Sequence, residues 1–125
     1  MMRHARVHQA LAGAGALAAS IAVALAAYAS HALEGRARYS ALLAVAFLLT
    51  HGIAVAALAW TPPARSRLGL GSLCAIGMGC LLFSGSLLGG ALRGLLTALA
   101  PFGGGLMIAA WLAYALACWR ARPER

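Results

Sequence analysis

The sequence has 125 residues, of which 63% are hydrophobic and 10% are charged, with a formal net charge of +8. Soluble domains carry about 25% charged residues, so this composition excludes a water-soluble globule and predicts an integral membrane protein that forms one domain over residues 1–125. The arginines stand in small groups at the ends of apolar runs, which is typical of membrane flanks and argues against a nucleic-acid partner.

Four apolar runs follow one another along the chain, and each is long enough for a membrane-spanning helix of about 20 residues. Because backbone groups in lipid must be satisfied within their own segment, the runs predict helices rather than strands. The predicted helices span residues 9–33, 39–60, 68–92 and 95–119. The links between them are short, so we expect an all-α, antiparallel up-down-up-down bundle of four transmembrane helices.

The first run is unusually rich in alanine, which partitions weakly into lipid but lets backbones approach closely. We therefore expect this helix to lie against its partners rather than on the lipid-facing rim. An alternative is a secretory signal, since Arg3 and Arg6 precede the run and Ala27-Tyr28-Ala29 is similar to a small-residue cleavage site. The length of the run favours its retention as the first span.

Arginines are distributed unevenly between the two ends of the predicted bundle. The amino terminus, the second link and the carboxyl terminus carry seven of them, whereas the first and third links carry three. Because positive charge favours the cytoplasmic side, both termini are expected in the cytoplasm. Trp60 and Trp119 would then anchor the cytoplasmic interface and Tyr39 the opposite one, with membrane lipids as the expected partners.

The third predicted helix carries small residues at a spacing typical of helix contacts in membranes. Gly85 and Gly89 form a GxxxG pair, and Ser86 with Gly90 forms a second small-xxx-small pair one residue further on. Two interpretations are open. These residues serve ordinary packing inside the chain, or they form a face for a homodimer or for another membrane protein.

Reactive side chains are scarce within the predicted spans. The acids Glu34 and Glu124 lie outside them, which argues against a proton-coupled exporter and leaves a serine hydrolase without an orienting acid. The cysteines are interpreted as small buried hydrophobic residues rather than as a disulfide framework. They are Cys74, Cys80 and Cys118. We therefore expect a protein that is not an enzyme.

Polar residues inside a membrane are the default candidates for function, and several fall in the outer half of the predicted bundle. The candidate polar pocket consists of His31, His51, Ser84, Ser86, Pro101, Gly103 and Gly104. The proline and the glycine run that follows it should kink or loosen the fourth helix beside the hydroxyl groups. The alternative is that both serines bond to carbonyls of their own helix, while the glycines only allow close packing.

The two histidines of that set lie at different depths, which argues against a shared haem, and no carboxylate joins them in a metal site. We therefore expect no cofactor and no metal. His51 is expected to be hydrogen-bonded to another helix, and His31 to be a polar group at a helix end near water.

Four segments resemble, in order, segments of the domain-of-unknown-function 423 family. They are residues 25–33, residues 47–51, the stretch 79–87 with its Phe-Ser-Gly-Ser-Leu core, and the stretch 100–111 with Pro-Phe-Gly-Gly near its start. The resemblance implies a small four-helix protein of the bacterial inner membrane, and it implies no activity, substrate or cofactor. The sequence thus predicts a non-catalytic structural or accessory protein. The alternative is a small transporter, or a protein that binds lipid or another small molecule in the polar pocket.

Overall fold

Four long helices make up most of the part of the chain that the structure describes. The computed structural model describes residues 2–121, with side chains from residue 5 onward. The helices are α1 (Met2–Ala32), α2 (Gly35–Leu58), α3 (Arg67–Arg93) and α4 (Ala100–Arg120), and a 3-10 turn, Pro62–Arg65, precedes α3. Each of the four is long and apolar enough to cross a membrane. The predicted all-α transmembrane architecture is therefore confirmed.

The helices pack in the order of the sequence: α1 against α2, α2 against α3, and α3 against α4. This order leaves α1 at one edge, where 11% of the residues in its most apolar stretch are buried. The expectation that the alanine-rich helix lies against its partners rather than on the lipid-facing rim is therefore wrong for the described residues. Its extensive contact is with α2 alone. Small residues on one face of α1 allow the two backbones to approach each other closely.

Two glycines form the crossing of α1 with α2. A Cβ atom built on Gly15 would lie 2.5 Å from the carbonyl oxygen of Gly52, and one built on Gly52 would lie 2.8 Å from the carbonyl oxygen of Gly15. Neither position has room for a side chain. The two backbones therefore pack directly against each other, as small residues permit in membrane helices.

The crossing of α3 with α4 repeats this arrangement. A Cβ atom on Gly79 would lie 2.8 Å from the carbonyl oxygen of Gly103, and one on Gly103 would lie 2.5 Å from the amide nitrogen of Phe83. Each antiparallel hairpin is thus closed by a pair of glycines. The sequence prediction placed helix-packing glycines elsewhere on α3.

The link between α1 and α2 is shorter than predicted, because α2 begins at Gly35 instead of residue 39. Gly35 has a φ of +53°, in the left-handed region that glycine adopts without strain. The guanidinium group of Arg38, in the first turns of α2, donates to the carbonyl oxygens of Ala29 and Ser30 at the end of α1. It thereby satisfies carbonyls that a helix end leaves without partners.

The link between α3 and α4 is longer than predicted. Gly94 ends α3 in the left-handed region with a φ of +65°, and α4 begins at Ala100. Pro101 occupies the first turn of α4, where a helix needs no amide donor. The helix runs without a break through Gly103, Gly104 and Gly105. The proline and the glycine run therefore do not interrupt α4.

The end of the molecule that carries the second link is held together by side chains of several elements. Thr61 donates to the carbonyl oxygen of Leu58 at 2.7 Å, and its hydroxyl lies 2.8 Å from that of the buried Tyr114 on α4. His8 of α1 bonds through Nδ1 to the carbonyl oxygen of Ala59 at 2.7 Å. α1, α4 and the second link are therefore connected by polar contacts at this end.

Candidate functional site

Several hydroxyl groups on the helices bond to carbonyl oxygens of their own helix. Thr50 donates to the carbonyl of Ala46 at 2.8 Å, and Ser72 donates to the carbonyl of Leu68 at 2.7 Å. Hydroxyl groups bonded in this way donate their proton within their own helix, so they are not available to a ligand as donors.

Ser84 behaves differently from both alternatives that the sequence left open. Its side chain is buried, and its hydroxyl donates across to the carbonyl oxygen of Ala44 on α2 at 3.0 Å. The neighbouring thiol of Cys80 donates to the carbonyl of Phe47 at 3.4 Å. Both groups thus connect α3 to α2 in the packed interior, so Ser84 does not open into a polar pocket.

Ser86 lies two residues further on and faces another way. Its hydroxyl oxygen is fully buried and has no hydrogen-bond partner among the described residues. It borders a groove of about 260 Å³ whose other lining residues are glycine and leucine. Residues that are two positions apart in a helix point in directions about 200° apart. Ser84 and Ser86 therefore face different sides of α3.

The remaining members of the predicted pocket are spread over the molecule. His31 is exposed near the end of α1. Pro101 is exposed in the first turn of α4, and Gly103 is buried against the α3 backbone. Of the seven residues, His51 and Gly104 border one groove together, whereas Ser86 borders another. The structure therefore does not assemble the predicted polar pocket.

The groove that His51 and Gly104 border lies between α2 and α4 and has α3 as its floor. Its volume is about 540 Å³, in the range of pockets that hold small molecules. Its lining consists of Phe47, His51, Phe83, Gly104, Met107, Ile108, Trp111 and Leu112. We call it the aromatic groove, since four of these side chains carry aromatic rings.

The rings of the aromatic groove contact one another. The Phe47 ring lies nearly parallel to the His51 imidazole, with their centroids 5.5 Å apart, and it packs at 4.6 Å against the Phe83 ring. The Trp111 ring lies 6.1 Å from the imidazole. These separations are typical of favourable aromatic pairs. The imidazole thus lies against a ring of its own helix and a ring of α4, and the α3 ring supports Phe47.

His51 is bonded within its own helix, and the expectation of a partner on another helix is wrong. Its Nδ1 atom lies 2.8 Å from the carbonyl oxygen of Phe47 and 3.3 Å from the hydroxyl of Thr50. Because a carbonyl oxygen only accepts, Nδ1 carries the proton in this hydrogen bond. Its Nε2 atom has no partner among the described residues, so it offers an acceptor.

Two further grooves lie on other parts of the described surface. One lies between α1 and α3 over α2, has a volume of about 260 Å³, and is bordered by His51 together with small and aliphatic residues. The other is polar and lies at the end of the bundle that carries the first and third links. It has a volume of about 600 Å³ and is bordered by Arg36, Ser40 and Thr97.

Candidate metal ligands and thiol groups are dispersed among the described residues. Within residues 5–121, no three histidine, cysteine or acidic side chains come together as metal ligands would. Cys80 is buried as predicted, whereas Cys74 and Cys118 are exposed on the surfaces of α3 and α4, contrary to the prediction. Helices that are apolar all round give no periodicity from which the sequence could tell these faces apart.

Sequence reasoning also missed the aromatic contacts of the groove. The prediction did not include Phe47, Phe83 and Trp111 as site residues. They lie on three different helices, α2, α3 and α4. The available signal was the four-residue spacing of Phe47 and His51, which places both side chains on one face of α2. That spacing identifies a shared face but does not show which helices it meets.

Comparison with known proteins identifies the family. The model of DUF423, described as a protein of unknown function, matches residues 25–104, which is more than half of the chain. The chain belongs to the DUF423 family. Neither the curated proteins nor the solved structures give a significant match.

The two most specific motifs of this DUF423 chain lie against each other in the structure. The Phe-Ser-Gly-Ser-Leu stretch begins at Phe83 on α3, and the Pro-Phe-Gly-Gly stretch forms the first turns of α4. They meet where Gly103 approaches the amide nitrogen of Phe83 and Gly104 approaches its ring. The motifs thus shape both the α3–α4 crossing and one wall of the aromatic groove.

Proposed function

We propose that this DUF423 protein is a non-catalytic accessory protein of the bacterial inner membrane, and that it acts by helix contacts with a second copy of itself. The observation that carries this proposal is a stripe of exposed residues on α3, which we call the α3 stripe. It consists of Gly71, Cys74, Met78, Leu81 and Gly85. It includes one residue, Gly85, of the face that the sequence predicted for contacts.

The spacing along the α3 stripe alternates between three and four residues, which is the pattern by which one helix faces another over several turns. Met78 and Leu81 are each more than half exposed. Cβ atoms built on Gly71 and Gly85 would meet nothing within 4 Å. The stripe therefore combines apolar side chains with two points where another backbone can approach closely.

Gly89 and Gly90, which belong to the predicted packing face, have other roles. A Cβ atom on Gly89 would lie 3.3 Å from the Leu95 side chain, and one on Gly90 would lie 2.7 Å from the Thr97 side chain. Both glycines thus accommodate the link between α3 and α4. Of the three predicted packing glycines, Gly85 is the one available to a second copy.

A symmetric dimer suits the α3 stripe because both copies cross the membrane in the same orientation. A two-fold axis along the membrane normal then places identical positions of the two α3 helices opposite each other. Gly71 would face Gly71 of the second copy, and Gly85 would face Gly85. Paired glycines at both ends let the helices stay close along the whole stripe.

The arginine distribution supports an orientation with both termini in the cytoplasm. Arg65 and Arg67 flank the second link, and Arg120 ends α4 at the same end of the bundle. Arg122 and Arg125 lie outside the described residues, as does the side chain of Arg3. Positive charge on this scale favours the cytoplasmic side, where anionic headgroups are suitable partners for the guanidinium groups.

Oxidation of Cys74 tests the dimer directly, because this exposed thiol belongs to the α3 stripe. A variant with Cys80→Ser and Cys118→Ser retains Cys74 as its single cysteine. In native membranes treated with copper phenanthroline, it should form a disulfide-linked dimer that a reducing agent reverses. The matched control retains Cys118, which is exposed on α4, and should give much less dimer at equal expression.

Two results would contradict the proposal. The first is equal dimer yield from the Cys74 and Cys118 variants, which indicates random collision. The second is a monomer in both mild detergent and membranes, with no Cys74 dimer. Replacement of Gly85 by Leu offers a further check, since it adds bulk to the α3 stripe without a clash inside the chain and should reduce the yield of the Cys74 dimer.

A further inference from the structure

We propose that the aromatic groove binds a lipid-soluble aryl alcohol, the chemical class that includes hydroquinones with an apolar tail. This inference goes beyond the accessory function and uses a different side of α3. Phe83 in the groove and Leu81 in the α3 stripe are about 200° apart around the helix. A ligand in the groove and a second copy on the stripe would therefore not compete.

The groove can offer a hydrogen-bond acceptor to a ligand that donates. Among the lining side chains, His51 and Trp111 bring the only nitrogen atoms. The indole nitrogen can only donate. The His51 imidazole commits its Nδ1 proton to the Phe47 carbonyl, which leaves Nε2 of the neutral ring without a proton. Nε2 is therefore an acceptor that suits a hydroxyl donor.

The walls of the groove select a flat, apolar ligand. The Phe47 and Trp111 rings lie 5.5 Å and 6.1 Å from the imidazole, and the Phe83 ring packs against the Phe47 ring at 4.6 Å. Gly104 lacks a side chain where the groove runs past α4, and a Cβ atom there would approach only the Phe83 ring, at 3.8 Å. An aryl ring can thus lie beside these rings with its hydroxyl at Nε2.

Access to the groove is from lipid. Ile108 and Leu112, at its rim on α4, are 67% and 69% exposed on a helix that crosses the membrane. A volume of about 540 Å³ is large enough for a single-ring head group. An apolar tail would continue along the exposed side chains of α4, whereas a water-soluble phenol would gain nothing from that surface.

A fluorescence titration tests this binding. Trp60 and Trp119 are 54% and 83% exposed and lie outside the groove, so their replacement by Phe leaves Trp111 as a reporter inside it. The probe is a hydroquinone with a ten-carbon alkyl tail, added to this variant in nanodiscs. We expect saturable quenching of Trp111. The dimethyl ether of the same probe has no donor and should bind about tenfold more weakly, as loss of one hydrogen bond predicts.

Variants of the acceptor distinguish the hydrogen bond from general partitioning into lipid. His51→Phe keeps an aromatic ring but removes the acceptor, and should weaken binding of the hydroquinone about tenfold. His51→Gln retains an acceptor oxygen and should keep most of the affinity. Equal affinity of all three proteins, or of the hydroquinone and its ether, would overturn the proposal.

A steric pair of variants identifies which groove is used, since His51 also borders the groove between α1 and α3. Gly104→Leu fills the aromatic groove and should abolish saturable quenching. Gly105→Leu is the matched control, because a Cβ atom on Gly105 would meet nothing within 4 Å. Quenching that is unsaturable, or unchanged in a helical and monodisperse Gly104→Leu protein, would refute the site. Should that variant fail to fold, the two His51 variants decide.

Discussion

The backbones of Gly79 and Gly103 touch where α3 crosses α4. A Cβ atom on Gly79 would lie 2.8 Å from the carbonyl oxygen of Gly103, and one on Gly103 would lie 2.6 Å from the carbonyl oxygen of Gly79. Because both obstructing atoms belong to backbone, rotation of a side chain cannot relieve them. The crossing fixes the distance between the two helices that carry most of the aromatic groove.

Replacement of Gly79 by Ala should therefore destabilise the protein by about 1 to 3 kcal/mol, the cost of overpacking a tight interior. Unfolding in increasing mole fractions of SDS, followed by far-UV circular dichroism, measures this change. Gly77→Ala is the control, because a Cβ atom there would meet nothing within 4 Å. A similar loss of stability in both variants would indicate a general effect of alanine rather than a clash at the crossing.

The sequence predicts the helices well because length and apolarity are sufficient evidence for a span in lipid. It places their ends less well. Arg36 and Arg38 lie in the first turns of α2. Because their polar side chains lower the hydropathy of this segment, the predicted helix began too late, at residue 39. Leu95 and Leu96 had the opposite effect, since they extended the fourth apolar run into the link between Gly94 and the start of α4 at Ala100.

The candidate site could be predicted only in part. Prediction of a pocket requires the face that each helix presents to its neighbours, and helices that are apolar all round carry little information about it. Ser84 and Ser86 illustrate this, because one reaches the Ala44 carbonyl and the other has no partner among the described residues. Family motifs correctly drew attention to Phe83 and Gly103, but they did not show that these residues meet.

The interhelical hydrogen bond of Ser84 should contribute modestly to stability. Ser84→Ala removes the donor to the Ala44 carbonyl and should cost about 0.6 kcal/mol, the average for such bonds between membrane helices. Ser86→Ala is the control, since its buried hydroxyl has no partner among the described residues. Removal of an unsatisfied polar group should leave stability unchanged or raise it. The reverse order of the two variants in SDS unfolding would contradict this assignment.

The hydroxyl groups of Thr61 and Tyr114 should be energetically coupled. Thr61 donates to the Leu58 carbonyl, so it accepts the proton of the Tyr114 hydroxyl 2.8 Å away. A double-mutant cycle with Thr61→Val and Tyr114→Phe should give a coupling energy of about 0.5 to 1.5 kcal/mol. Tyr39→Phe, at an exposed position, combined with Thr61→Val should give none. Additive effects of Thr61→Val and Tyr114→Phe would show that the hydrogen bond is not formed in the folded protein.

Arg38 and Arg36 should differ in their effect on the end of α1, although they are two residues apart on α2. Arg38 donates to the carbonyls of Ala29 and Ser30, whereas Arg36 makes no hydrogen bond to the described residues and borders the polar groove. Arg38→Gln should therefore lower stability by about 0.5 to 1.5 kcal/mol, since it removes donors from carbonyls at a helix end. Amide hydrogen exchange in the last turn of α1 should accelerate in this variant and remain unchanged in Arg36→Gln. Equal acceleration in both would mean that charge near the interface, and not the cap, holds the first link in place.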